Sequence, residues 1–291
     1  MDLQLRDRTV VVTGASSGVG LATARILLGE GARVAACARD LDRLTNAFKE
    51  FGADPEFLHL AACDVTNQNA TDAFIDSTLK RFGAVDGLVC NAGRSLMATL
   101  EDTSDQQVRD EFELKIFGAW NIIRSARPAL ARAAARAVAA TAGRATAGQA
   151  TATGHAPSSP SAQSSASIVN VNAILSRQPE LRLAATSAAR AGLLNLTHSI
   201  AEDLAVDGIR VNSVLLGLID TGQWRRRFEN AGTDLGYEAW SAEIAKDRGI
   251  GLGRFGTAEE VAFHIVTLLS PLSGYTTGTS VEVGGGVNRY V

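Results

Sequence analysis

Glycines near the amino terminus have the spacing of a turn that binds phosphate through backbone N–H groups. The stretch Thr13–Gly20 reads TGASSGVG and follows the apolar run Thr9–Val12. Glycine lets the chain turn sharply and approach an anion closely, and the N–H groups of a following helix face that anion. This context favours dinucleotide binding, although an ordinary strand-to-helix turn has the same outline. The residues predicted to contact the dinucleotide here are Gly14, Ser16, Ser17, Gly18, Val19 and Gly20.

The end of the second predicted strand, Ala38-Arg39, indicates which dinucleotide is bound. An acidic side chain at this place accepts hydrogen bonds from the ribose hydroxyls, whereas an arginine accommodates a 2′-phosphate through charge-assisted hydrogen bonds. Arg39 therefore favours NADP(H) over NAD(H). The neighbouring Asp40 complicates this prediction, unless its carboxylate caps the following helix.

Two further segments follow predicted strands and are expected at the same edge of the sheet. Asp64-Val65 follows the third strand, and Asn91-Ala92-Gly93 follows the fourth. Ligands of open α/β sheets bind outside the carboxyl ends of the strands. We therefore predict that these five residues line the dinucleotide site.

The elements that must position these residues alternate between strand-like and helix-like patterns. The predicted strands are Thr9–Val12, Arg33–Ala38, Phe57–Ala62, Gly87–Cys90, Ser167–Val171, Ile209–Val214 and Ser280–Val283. The first predicted helix begins near Val19 and ends at about Glu30. The others cover Leu41–Phe51, Asn67–Phe82, about Ser104–Leu130, Ala184–Ala205 and Ala258–Leu269, with two short helices between residues 221 and 247. Apolar strands separated by amphipathic helices indicate an α/β fold, a doubly wound parallel sheet in one domain over residues 1–291.

A low-complexity segment at about residues 132–166 interrupts this alternation. It consists almost wholly of Ala, Ser, Thr, Gly, Gln and Pro with a few Arg, a composition that cannot bury a core. We expect Ala131–Ala142 to extend the preceding helix and Gly154–Ser165 to be disordered. Because the segment joins a helix to a strand, it should lie opposite the ligand crevice, with His155 solvated.

Composition excludes several other classes of protein. The net charge is −3 and Lys and Arg are scattered except at Arg225–Arg227, which disfavours nucleic acid or a membrane surface as a partner. Cys37, Cys63 and Cys90 lack CxxC spacing and no metal-ligating set is visible, so we expect buried free thiols and no metal site. The amino terminus is polar and no run of about 18 apolar residues occurs, so we expect a cytoplasmic protein.

Taken in order, these motifs resemble those of the short-chain dehydrogenase/reductase family. The resemblance rests on Thr13–Gly20, Asp64, Asn91-Ala92-Gly93, Arg210–Val214 and the ending Thr277–Gly285, and it covers the chain outside the low-complexity segment. It implies a seven-stranded Rossmann-type sheet and hydride transfer between the nicotinamide of NAD(P)(H) and a carbonyl or alcohol. It also implies a homo-oligomer, dimer or tetramer, formed through the fourth and fifth helices.

The same resemblance assigns a nicotinamide contact after the sixth strand. The family usually has Pro-Gly-x-Ile-x-Thr there, and this chain has Gly217, Ile219 and Thr221 with Leu216 in place of the proline. The residues Gln223–Phe228 then fall in the family's substrate lid. Trp224 and the three arginines 225–227 suit an acidic or phosphate-bearing substrate, but they also suit an amphipathic helix with a solvated basic face.

The catalytic positions of the family are substituted in this chain. Where the family has Asn, Ser, Tyr and Lys, the matching positions hold Lys115, Ala173, Thr186 and Arg190. Thr186 and Arg190 keep the i, i+4 spacing that places both on one helical face, where Arg190 would also bind the cofactor ribose. A threonine hydroxyl is a far weaker acid than a phenol, and a guanidinium cannot relay a proton. Loss of the serine removes a donor worth roughly 3–4 kcal/mol of barrier.

Other groups near these positions could take over the chemistry. Lys115 is an amine that burial could tune, or a solvated or salt-bridged helix residue beside Glu111 or Glu113. Further candidate hydrogen-bond donors near the same strand end are Asn172, Ser176 and Ser187. The sequence thus predicts an NADP(H)-dependent oxidoreductase of a carbonyl or hydroxyl compound with an atypical centre of Thr186, Arg190 and Lys115. The alternative is a catalytically silent NADP(H)-binding sensor or oligomer subunit.

Overall fold

The computed structural model describes residues 1–148 and 166–290. In that part of the chain the strands are β1 (Thr9–Thr13), β2 (Arg33–Ala38), β3 (Leu58–Ala62), β4 (Gly87–Cys90), β5 (Ala166–Ala173), β6 (Ile209–Leu216) and β7 (Ser280–Val283). They form one parallel sheet in the order β3-β2-β1-β4-β5-β6-β7. The order reverses between β1 and β4, which confirms the predicted seven-stranded, doubly wound Rossmann-type sheet in a single α/β domain.

Helices cover both faces of this sheet. They are α1 (Gly18–Gly29), α2 (Leu41–Glu50), α3 (Gln68–Phe82), α4 (Asp105–Phe112), α5 (Gly118–Gly148), α6 (Ala184–Ala205), α7 (Gly222–Glu229), α8 (Tyr237–Asp247) and α9 (Ala258–Leu269). Successive strand residues point to opposite faces. Val10 and Val12 therefore pack with α1, α2 and α9, whereas Val11 packs with α3, α5 and α6. Burial on both faces explains why the strands are continuously apolar.

The long helix predicted over residues 104–130 is broken in the structure. A π-helical turn at Glu113–Phe117 separates α4 from α5. This turn carries Lys115, whose side chain faces inward and is buried. Single π turns inside helices are frequent at functional sites because the extra residue re-aims neighbouring side chains.

The low-complexity segment lies partly within the described residues. Helix α5 continues through Ala131–Ala142, as the alanine-rich composition predicts. The segment Gly154–Ser165, predicted to be disordered, and His155 lie outside the described residues. The position of the segment away from the cleft stays a prediction.

Other expectations concern the cysteines, membrane-spanning helices and metal sites. The three cysteines are free and buried. Among the described residues, no helix has the length and apolarity needed to cross a membrane. No cluster of His, Cys, Asp or Glu in the described part of the chain could hold a metal ion.

Candidate active site

A cleft of about 1110 Å³ runs along the carboxyl ends of the strands, across the switch point between β1 and β4. Every residue that the sequence predicts to contact the dinucleotide lines this cleft, except Gly20. Ligands of doubly wound sheets bind at this location because the loops on either side of the switch point diverge. Ala173, at the family's serine position, also lines the cleft and brings no hydroxyl.

The glycine-rich turn is built by close backbone packing. Gly14 and Gly18 have φ angles of +66° and +56°, a region that favours glycine. A Cβ on Gly20 would lie 2.5 Å from Nδ2 of Asn91. That amide donates to the carbonyls of Thr13 and Gly14 at 3.0 and 3.1 Å. Gly20 therefore lets α1 pack against the turn, and Asn91 holds the turn in shape.

At one end of the cleft, two arginines lie beside the end of β2. Asp40 caps α2 by accepting a 2.9 Å hydrogen bond from the N–H of Arg43, so its carboxylate is engaged as a helix cap. Arg39 and Arg43 are exposed, line the cleft and form no ion pair with a described residue. Arg43 is not among the residues predicted from the sequence, although it lies in the first turn of α2, four residues after Arg39, and could have been found from that spacing.

Arg190 lines the cleft with a buried guanidinium that is only partly satisfied. Its Nη1 donates to the carbonyl of Val171 at 2.7 Å. Its Nε is buried and has no hydrogen-bond partner among the described residues. Burial lowers the pKa of Arg190 to about 10, and the charge of Glu111 opposes that shift. Because Arg190 also lines the cleft, the part of its guanidinium that faces the cleft is placed to bind a ligand oxygen.

Behind Arg190, one carboxylate joins two of the substituted positions. Oε2 of Glu111 accepts a hydrogen bond from Nζ of Lys115 at 2.6 Å and another from the hydroxyl of Thr186. The side chains of Lys115 and Glu111 are 1% and 3% exposed. The Thr186 oxygen also accepts the N–H of Leu96 at 3.1 Å. Lys115, Glu111 and Thr186 therefore form a buried cluster, and none of the three lines the cleft.

Lys115 combines features of both interpretations that the sequence left open. Lys115 forms a salt bridge with Glu111, and its side chain is also buried, which shifts its pKa. Burial, followed by the charge of Arg190, lowers its pKa to about 8, against the raising effect of Glu111. Lys115 and Arg190 share the lining of a small cavity of about 10 Å³. An amine with a lowered pKa of about 8 thus lies directly behind the cleft.

The other candidate donors do not face the cleft. Asn172 uses its amide within the protein, donating to the carbonyl of Arg190 at 3.0 Å and accepting the N–H of Ala173 at 2.9 Å. The hydroxyls of Ser176 and Ser187 are buried without a hydrogen-bond partner in the described part of the chain, and neither residue lines the cleft. Asn172 therefore holds Arg190 and Ala173 in place.

Helix α7 lines the other end of the cleft and α8 packs against α7; these are the two predicted short helices. Trp224 packs between Phe255 and Trp240, with ring centroids 4.8 and 6.1 Å apart. Arg225 pairs with Asp220 at 2.7 Å and lies 3.8 Å from the ring of Tyr237, outside the cleft. The next two arginines, 226 and 227, line the cleft.

A glycine-rich turn at the switch point of a doubly wound sheet, lining a cleft along the strand ends, is typical of nucleotide-binding proteins of the Rossmann class. Comparison with known proteins narrows this class. The profile described as "short chain dehydrogenase" matches residues 8–158, and the profile described as "Enoyl-(Acyl carrier protein) reductase" matches residues 149–288. The chain belongs to the short-chain dehydrogenase/reductase family, as the ordered motifs predict.

Individual relatives agree with this assignment. A short chain oxidoreductase from Pseudomonas aeruginosa, solved with NADPH bound and described as containing an atypical catalytic center, is 38% identical over 98% of both chains, with a TM-score of 0.82. L-sorbose reductase from Gluconobacter frateurii, solved with NADPH and L-sorbose, is 26% identical over 100% of both chains, with a TM-score of 0.83. An "uncharacterized oxidoreductase" of Mycobacterium bovis is 30% identical over 97% of both chains.

Proposed function

We propose that this protein is an NADP(H)-dependent oxidoreductase that interconverts a carbonyl and an alcohol in a small molecule through an atypical centre. One observation carries the proposal. The cleft is lined by the guanidiniums of Arg39 and Arg43, which form no ion pair with a described residue, and also by Arg190. The first two suit a 2′-phosphate and the third suits a nicotinamide ribose oxygen, so the residues fit NADP(H) at both ends.

The relatives support the cofactor and the reaction class. The Pseudomonas aeruginosa oxidoreductase and the L-sorbose reductase were both solved with NADPH, and the second also with a sugar substrate. The description of the first as having an atypical catalytic center agrees with the substituted positions of this chain. These similarities favour an active enzyme over a catalytically silent NADP(H)-binding protein.

In the proposed mechanism the nicotinamide, when bound, supplies the hydride that forms the new C–H bond, and the carbonyl π electrons move to oxygen. We propose that Arg190 binds the ribose and orients the ring, and that Gly217, Ile219 and Thr221 contact the carboxamide. The substrate oxygen then needs one proton. Lys115 is the proposed source, because its lowered pKa allows it to lose a proton near neutral pH.

The route of this proton must cross a short gap, since Lys115 lies behind the cleft. The cavity of about 10 Å³ that Lys115 and Arg190 line has about the volume of one water probe. We propose that a water there passes the proton to the cleft. Glu111 and Thr186 act as positioning residues in this scheme: Glu111 holds the lysine, and Thr186 fixes Glu111 against the Leu96 backbone.

A catalytically silent NADP(H)-binding protein is the second candidate. The burial of Lys115, Glu111 and Thr186 away from the cleft favours it. Two measurements separate the candidates: NADPH affinity by fluorescence titration, and loss of 340 nm absorbance with ketones, aldehydes and oxo acids. The proposed enzyme binds NADPH and oxidises it with at least one class of carbonyl. Tight binding without turnover on any class would favour the silent protein.

We also propose that the protein works as a homo-oligomer in the cytoplasm. Phe117 and Trp120, at the junction of α4 and α5, are 50% and 41% exposed, and Phe112 lies on the same part of the fold. Exposed aromatic side chains grouped on adjoining helices are typical of subunit contacts. Light scattering during gel filtration gives the mass directly, and Phe117→Glu with Trp120→Glu should shift an oligomer to monomer.

A further inference from the structure

The lid end of the cleft has an excess of positive charge. Arg226, Arg227 and Arg248 line it together with Glu180, and Arg248 already pairs with that carboxylate. Asp110 and Glu113 line the cleft from the α4 side. Within the described residues, neither Arg226 nor Arg227 forms an ion pair. The lid therefore presents two guanidiniums without a carboxylate partner.

Arg227 is the more informative of the two because it is half-buried. Its guanidinium lies 4.5 Å from the ring centroid of Trp224, which fixes its plane. Burial, followed by the neighbouring charge of Arg248, lowers the pKa of Arg227, and the charge of Glu180 opposes that shift. Two cations that share a partly desolvated site repel each other, and an anion between them removes that cost.

Helix α7 is held in place by its packing, so the orientations of its arginine side chains differ from those on a free surface helix. The aromatic packing of Trp224 with Trp240 and Phe255 fixes the inner face of α7. Arg225 takes the outer side, where it pairs with Asp220. Of the three consecutive arginines, Arg225 lies outside the cleft, Arg226 lines the cleft but is exposed, and Arg227 is half-buried in the cleft wall.

We propose that the substrate carries an anionic group, a carboxylate or a phosphate, which binds Arg226 and Arg227 while its carbonyl lies near Arg190. This inference rests on the proposed function, because it names the substrate class of the same cleft. Guanidinium groups bind carboxylate and phosphate oxygens through paired, charge-assisted hydrogen bonds. The substrate would therefore be an oxo acid or a keto phosphate, and neutral ketones of similar shape would be poor substrates.

The first test compares matched acids and neutral partners. The probes are 3-, 4- and 5-oxo acids with their methyl esters, and dihydroxyacetone phosphate with dihydroxyacetone, each assayed by NADPH oxidation. At least one acid should exceed its neutral partner about tenfold or more in kcat/KM, and raised salt should reduce that preference. A preference for the oxo acids over their esters indicates a carboxylate, and a preference for dihydroxyacetone phosphate over dihydroxyacetone indicates a phosphate. Turnover with equal or better use of every neutral partner would overturn the inference and leave the proposed function intact.

The second test uses variants and a binding measurement. In Arg226→Gln with Arg227→Gln, KM for the preferred anion should rise about 10- to 100-fold with a smaller change in kcat, the size of one or two charge-assisted hydrogen bonds. Arg225→Gln removes the same charge from the same helix outside the cleft and should leave KM unchanged. Circular dichroism and NADPH affinity confirm that each variant is folded.

Calorimetric titration of the NADP⁺-loaded protein with the same probes decides the matter even if no turnover occurs. Binding of an anionic probe that the double variant loses and Arg225→Gln keeps supports the anion site. Binding that both variants keep, or no binding of any anionic probe, overturns it. Absence of turnover on every probe counts against the proposed function separately.

Discussion

Nζ of Lys115 lies 2.6 Å from Oε2 of Glu111, one helical turn away, and both side chains are almost wholly buried. A buried ion pair loses hydration on folding, and it is tolerated only when both charges keep close partners. The hydroxyl of Thr186 provides a further partner for the same carboxylate oxygen. A change at Lys115, Glu111 or Thr186 is therefore expected to alter both the stability of this region and the properties of the substituted positions.

Replacing Glu111 with glutamine should destabilise the fold. The variant leaves the ammonium of Lys115 buried without its counter-charge, which costs about 3–5 kcal/mol for a broken buried pair. Urea denaturation at pH 7 measures the free energy of unfolding. Glu113→Gln is the matched control, because Glu113 lies in the adjoining π turn and is exposed; its loss should stay within about 0.5 kcal/mol. Equal losses of unfolding free energy in the two variants would contradict a stabilising role of the buried Lys115–Glu111 pair.

The pH dependence of stability should carry the signature of Lys115. The folded-state pKa of about 8 lies below the ordinary value of 10.5, so the unfolded chain binds more protons between these two values. Stability relative to Lys115→Met should therefore rise with pH across that window, by at most about 1.4 kcal/mol per pH unit. Below pH 8 the difference should be flat. A difference that falls above pH 8 would contradict the lowered pKa.

The rate of carbonyl reduction should fall as pH rises through about 8. Lys115 must be protonated to act as the proposed proton source, and it loses its proton in that range. Profiles of kcat against pH for wild type and Lys115→Gln test this assignment, with pro-R or pro-S deuterated NADPH to confirm that hydride transfer limits the rate. The variant should be slow and lack the transition near pH 8. An unchanged profile would remove Lys115 from the proton route.

Thr186 should matter through its position rather than as a proton donor to substrate. Thr186→Val keeps the shape but leaves Glu111 and the N–H of Leu96 each short of a partner, at a cost of about 1–3 kcal/mol in stability. Thr186→Ser restores the hydroxyl and should recover stability and rate together. If Thr186→Val kept the stability of the wild type, the hydrogen bonds would not anchor the cluster.

Arg39 should discriminate between the two dinucleotides. Arg39→Ala should weaken NADPH binding about tenfold or more and leave NADH affinity within about threefold, since only NADPH has the 2′-phosphate. Fluorescence titrations with both cofactors measure this ratio. Arg43→Ala should act in the same direction, whereas Arg33→Ala, at the amino end of β2, should not. Equal losses for NADPH and NADH would contradict the assignment.

Local patterns in the sequence predict the framework of the site well. Apolar runs between turns indicate buried parallel strands. The first strand, predicted over Thr9–Val12, therefore agrees with the structure to within one residue, since β1 ends at Thr13. The glycine turn and the polar segments at 64–65 and 91–93 lie along one cleft, since parallel strands end at the same edge. Arg39 and Asp40 both line the cleft, and the carboxylate of Asp40 also caps α2, as local helix chemistry predicts.

The buried cluster could not be predicted in the same way. Helical periodicity across residues 104–130 does not reveal the one-residue excess of the π turn, which carries Lys115 inward. The surroundings of Thr186 depend on the backbone of Leu96, 90 residues away along the chain. Glu111 has the sequence context of an exposed helix residue, and only tertiary packing buries it.

We propose that Arg190, at the position where the family has lysine, serves an active NADP(H) oxidoreductase. The most direct test of this role is single-turnover reduction of an accepted substrate by NADPH-loaded enzyme, wild type against Arg190→Met, monitored at 340 nm. We predict turnover in the wild type, and in the variant a weaker affinity for NADPH together with a hydride-transfer rate at least about 100-fold lower. Unchanged rate and affinity in a folded Arg190→Met variant would contradict the claim.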